Sequence, residues 1–141
     1  MGTWLDMRHL ELLFDGDHLP QDMKKMSKLQ HFVLLGYQGS SLPDYIYNFQ
    51  HLQGIWLRYC RQLRELSPLE RVPNLKALTL RDGKGWKELG IGNSGGFLML
   101  EKLVLQRLRN LESIGGASDN GVWNESTLPR LRMLVIKNVH S

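Results

Sequence analysis

One apolar pattern recurs six times along this chain and constrains its fold more than any other feature. It reads Met7-xx-Leu10-x-Leu12, then Leu29-xx-Phe32-x-Leu34, Leu52-xx-Ile55-x-Leu57 and Leu75-xx-Leu78-x-Leu80. The last two copies are Leu100-xx-Leu103-x-Leu105 and Leu131-xx-Leu134-x-Ile136. Successive copies start 22, 23, 23, 25 and 31 residues apart. Each copy closes on a period of two, the beat of a half-buried strand. Between copies the beat changes to three, as in Leu42-xx-Tyr45/Ile46-xx-Phe49-xx-Leu52. Extended or 3-10-like turns place every third residue on one side. The chain therefore lays down one short strand per repeat, about 4.8 Å from its parallel neighbour, and returns along the opposite face.

The first four intervals lie inside the period of about 20–29 residues that marks leucine-rich repeats, and the fifth carries an insertion. The expectation is an α/β repeat solenoid, a horseshoe fragment of about six short parallel strands on the concave face with irregular or 3-10 turns on the convex face. The strands should lie near 7–12, 29–34, 52–57, 75–80, 100–105 and 131–136 of a single domain, 1–141. Pro20, Pro43, Pro68 and Pro73 fall in the return segments, where a missing N–H costs little. Two stretches rich in Gly, Ser and Asn, 82–97 and 113–127, read as loop insertions. Gly83-Lys84 is not followed by Ser or Thr, so no phosphate loop is expected there. Trp86 and Trp123 are expected to fold back as hydrophobic plugs, the alternative being exposed contact residues.

Composition excludes several classes. The apolar fraction of 42% and charged fraction of 23% are those of a globular chain. No run approaches the roughly 18 apolar residues of a membrane span. The N-terminal MGTWLDMRHLELLFDG lacks a basic region followed by an uninterrupted apolar core, so it does not read as a signal peptide. A cytoplasmic or nuclear location is expected, unless a larger parent carries the address. Cys60 is the single cysteine, so no internal disulfide can form. The net charge of +4 is uneven, with a balance of −1 over residues 1–70 and +5 over 71–141. A basic second half raises nucleic acid as one candidate partner and an acidic protein as another. No basic recognition helix or interleaved aromatic platform accompanies it, which favours protein.

No enzyme can be assembled from the titratable residues. The histidines are scattered, although His9 and His31 share a position in adjacent strands and could face each other. Two ligands do not make a zinc site. The spacing in Phe14-Asp15-Gly16-Asp17-His18 suits a turn rather than a calcium loop. Cys60 reads as a small buried hydrophobe. No catalytic group, metal or cofactor is expected. What remains is the concave surface, about 24 Å across six strands. Its best contact patch is Trp56 and Tyr59 beside Arg58 and Arg81, because binding hot spots favour Trp, Tyr and Arg. Lys102, Gln106 and Lys137 extend it on later strands.

Several phrases also resemble a known family. Ser41-Leu42-Pro43-Asp44 through Leu57-Arg58-Tyr59-Cys60 and Val72-Pro73-Asn74-Leu75-Lys76 are similar to the repeats of plant intracellular nucleotide-binding leucine-rich-repeat (NLR) immune receptors of the coiled-coil type. FLMLEKLVLQRLRNLESI and LPRLRMLVIKNV resemble later phrases of the same repeats. The resemblance implies recognition of a pathogen effector, or of the receptor's own nucleotide-binding domain, through the concave face. It does not carry over ATP binding, since no phosphate loop is present. The ninth position of each repeat, Asn or Cys in the general pattern, holds Asp15, Tyr37, Cys60, Gly83, Leu108 and Val139. A continuous ladder of polar side chains is therefore not expected. Trp4 and Leu5 could cover one end of the coil, with nothing comparable at the other. These features suit a fragment of a longer receptor, or a stand-alone truncated relative acting as scaffold or dominant-negative partner. Open edges would also allow edge-to-edge self-association.

Overall fold

In the computed structural model, residues 5–91, 96–114 and 128–139 are described. Six five-residue strands form one sheet: β1 (His9–Leu13), β2 (His31–Leu35), β3 (Gly54–Arg58), β4 (Ala77–Arg81), β6 (Lys102–Gln106) and β8 (Met133–Lys137). Their spatial order follows the chain, and every neighbouring pair is parallel. Each strand begins two residues after the first apolar residue of its motif. The register is equally regular, with Phe32 opposite Ile55, Ile55 opposite Leu78 and Leu78 opposite Leu103.

Backbone hydrogen bonding makes this regularity physical. One carbonyl at each strand start accepts two amides of the next coil: Arg8 from Gln30 and His31, Gln30 from Gln53 and Gly54, Gln53 from Lys76 and Ala77. Lys76 and Glu101 repeat the arrangement. The residue after every strand of this sheet from β2 onward takes a left-handed backbone: Gly36 (φ 84°), Tyr59 (58°), Asp82 (54°), Arg107 (54°) and Asn138 (54°). That turn ends the pleat and starts the return path.

The returns carry 3-10 turns at Gln21–Lys25, Asp44–Asn48 and Leu69–Arg71, each directly preceded by a proline: Pro20, Pro43 and Pro68. Proline's fixed φ suits that entry, and its missing N–H falls where no partner is needed. Met23, Ile46 and Leu69 point inward from these turns. They meet Phe32, Leu34, Ile55, Leu57, Leu78, Leu80, Leu103 and Leu105 from the sheet, in one continuous apolar core. Burying each such side chain contributes about 1.5–3 kcal/mol.

The stretch 82–97 departs from its expected loop character. Trp86, Leu89, Ile91 and Phe97 are all buried, and β5 (Glu88–Leu89) pairs in parallel with β7 (Ser113–Ile114) as a second, two-stranded sheet. The glycines had masked a return segment with its own apolar side chains. Gly85 is required there, because a Cβ at this position would run into the backbone carbonyl of Leu63. Trp86 is a plug, seated in the core beside Gly83 and Leu108. Trp4, Trp123 and residues 115–127 lie outside the described residues. Leu5 is exposed, and at the other end Leu134 (44%) and Ile136 (42%) are open at positions whose counterparts Leu103 and Leu105 are fully buried.

Candidate functional site

The alternating strands sort the concave side chains into three rows across the sheet. The first row, at the strand starts, reads His9, His31, Gly54, Ala77, Lys102, Met133. The middle row reads Glu11, Val33, Trp56, Thr79, Val104, Val135. The third reads Leu13, Leu35, Arg58, Arg81, Gln106, Lys137. Small residues at 54 and 77 leave a trough of about 470 Å³ between the flanking side chains, running from His9 to Gln106. Trp56 stands beside it, 42% exposed. The indole is open to solvent on a strand whose other face, Ile55 and Leu57, is buried, so it stands outside the core.

Beyond the third row lies a rim of left-handed residues. Asp82 on that rim is only 14% exposed and receives two arginines. Arg58 Nε donates to its Oδ2 at 2.9 Å. Arg107 donates through Nε to Oδ1 at 2.5 Å and through Nη2 to Oδ2 at 3.2 Å. Hydrogen bonds from Arg107, with a smaller contribution from Arg58, hold the Asp82 carboxyl below its ordinary range against the opposing effect of burial. Arg58 also donates from Nη2 to the Tyr59 hydroxyl at 3.1 Å and lies 4.8 Å from that ring's centre. Arg81 sits 6.0 Å from the centre of the Trp56 ring, with its Nε shut from solvent and without a hydrogen-bond partner among the described residues.

Of the residues singled out in the sequence, Trp56, Arg58 and Arg81 come together on β3 and β4. Tyr59 lies just past the strand on the rim, packed on Arg58 rather than on Trp56. Gln106 extends the third row on β6, and Lys137 ends it on the edge strand β8. Lys102 belongs to the first row, across the trough from the arginines. Sequence reasoning did not select Asp82 and Arg107 as site residues, although they organise the rim. Their signal was the repeated residue following each strand, which carries a different amino acid in every copy.

His9 and His31 do face each other, their ring centres 6.1 Å apart and tilted 43°. His9 pairs with Glu11 at 3.1 Å. Among the described residues no three His, Cys, Asp or Glu side chains cluster to hold a metal ion. Cys60 is buried, and burial pushes its thiol up to about 11.

Known proteins place this geometry. The sequence profile of the R13L1/DRL21 LRRs matches residues 8–83, more than half of the chain. The chain belongs to this leucine-rich-repeat family. Among solved structures, it is similar to the leucine-rich repeat domain of the type III effector XCV3220 (XopL), with a TM-score of 0.61 and 23% identity. That alignment covers 93% of this chain and 52% of the other, so the chain spans about half the length of that structure. At this identity the likeness speaks for the fold alone. A comparison with curated proteins finds no match. This leucine-rich-repeat chain is thus a module suited to protein–protein interaction. No helix among its described residues is long and apolar enough to cross a membrane.

Proposed function

We propose that this leucine-rich-repeat chain is a protein-recognition module of a plant disease-resistance receptor of the NLR class, with its concave face as the contact surface. The exposed Trp56, flanked by Arg58 and Arg81 on a rigid parallel sheet, is the observation that carries this reading. A large aromatic beside arginines has the make-up of a binding hot spot. The resemblance of its repeat phrases to those of NLR receptors supports a pathogen effector, or the receptor's own nucleotide-binding domain, as partner. Either role places it in the cytoplasm. A stand-alone relative that pairs with full receptors would use the same face.

The test is partner capture by three folded proteins. One is the wild type, and one is the concave variant Trp56→Ala/Arg58→Glu/Arg81→Glu. The third is the convex variant Arg71→Glu, altered where Arg71 lies 5.0 Å from the Tyr47 ring centre. Loss of capture in the concave variant alone is expected. Undiminished capture by that variant, with an unchanged far-UV circular dichroism spectrum, removes the patch from consideration.

A further inference from the structure

Three guanidinium groups crowd the third row and its rim, and a single carboxylate, Asp82, pairs with them among the described residues. Arg58 and Arg107 share it. Arg81 stands directly opposite Arg58 across β3 and β4 and has no anion among the described residues. Like charges facing each other across a sheet are destabilising. A shielded N–H without an acceptor adds a desolvation cost, and the Arg81 Nε is such a group. The charge crowding falls when a carboxylate docks on the Arg81 guanidinium, because the guanidinium fork matches carboxylate geometry. Beside Arg81 runs an apolar line of Val33, Trp56 and Val104, with the trough at its foot.

We infer that the concave face receives an acidic segment of its partner protein, in which an apolar side chain seated on Trp56 and the valines neighbours a carboxylate that accepts hydrogen bonds from Arg81. The inference rests on the concave-face reading and deepens it by naming the chemistry of the partner. Phosphates would also suit an arginine, but single-stranded nucleic acid needs successive aromatic faces. The middle row has one aromatic, Trp56, among three valines and a threonine, with Glu11 at its β1 end.

Arrays of capped octapeptides test it. Each places Leu or Phe next to Asp or Glu and is matched by its Asn or Gln isostere. The full chain should retain acidic members about tenfold better than their isosteres. Arg81→Met should erase that preference, while Lys137→Met should keep it. Arg81→Met should also melt at or above the wild-type midpoint, because it relieves the crowding; a lower midpoint would make Arg81 a structural residue and overturn the inference. It is equally overturned when no peptide is retained, when isosteres are held as well as acids, or when Arg81→Met keeps the preference. Tighter binding of a poly-thymidine oligonucleotide than of every acidic peptide would assign the face to nucleic acid instead. Failure of the underlying reading looks different, as retention that survives Trp56→Ala and falls with Arg71→Glu.

Discussion

At the scale of single residues, the four buried ninth positions, Tyr37, Cys60, Gly83 and Leu108, differ in size and are packed together with what lies three residues further on. Cys60 is followed by Leu63 and Leu108 by Leu111, all four buried. Gly83 is followed by Trp86, and a methyl group at 83 would lie 2.5 Å from Cζ3 of that indole. Tyr37 fills its own slot, donates its hydroxyl to the Ser41 carbonyl at 2.7 Å, and is followed by the exposed Ser40. Packing thus replaces the polar ladder of the general pattern. Gly83→Ala should cost about 1–3 kcal/mol, and Trp86→Leu should restore most of that loss when combined with it. A double-mutant cycle by urea denaturation measures the coupling; strictly additive effects would show that the two sites do not share space. Cys60 gives a second prediction. Its thiol is raised from 9.0 to about 11 by burial, so the folded state holds the proton more tightly than the unfolded state. Stability from this group is complete below about pH 9 and is lost as pH rises towards 11, by about 2 kcal/mol. Melting curves from pH 8 to 11 should show this decline in the wild type and a smaller one in Cys60→Ala.

At the scale of the strand and its turn, the Asp82 carboxylate links three consecutive coils. Asp82 contacts Arg58 of the coil before and Arg107 of the coil after. Asn at 82 keeps the left-handed backbone, which Asn adopts with little penalty, but removes the charge. Asp82→Asn should therefore cost about 1–3 kcal/mol at neutral pH. The lowered Asp82 pKa means this stability is present above the ordinary carboxylate value of 3.8 and is lost as pH falls through the folded value. Acid titration of both proteins should bring their stabilities together at low pH; a constant gap would exclude the ion pairs as the cause. The strands themselves were legible because a period of two inside a period near 23 leaves few alternatives. The pair β5–β7 was not, since two residues per strand give no periodicity to read. The Asp82 cluster was hidden for another reason: charge pairing joins it to Arg58, 24 residues back and one repeat position earlier, and to Arg107, 25 residues on at the same position with a different identity.

At the scale of the whole molecule, stability is additive along the coil, as each repeat touches only its neighbours. Central strands β3 and β4 bury their inward residues completely or nearly so, whereas Leu134 and Ile136 of β8 are 44% and 42% exposed. Amide exchange should be slowest in β3 and β4 and fastest in β8 within the main sheet. The placement of Trp56 and Arg81 on the concave side follows from alternation alone, and so was readable in the sequence. Their contrast, a paired Arg58 beside an Arg81 with no ion pair among the described residues, required the side-chain geometry. The measurement that tests the central claim most directly is hydrogen–deuterium exchange of the chain with and without a captured partner. Concave recognition predicts new protection over 54–59, 77–82 and 102–107. Protection confined to the convex segments 21–25, 44–48 and 69–71, with the sheet unchanged, would contradict it.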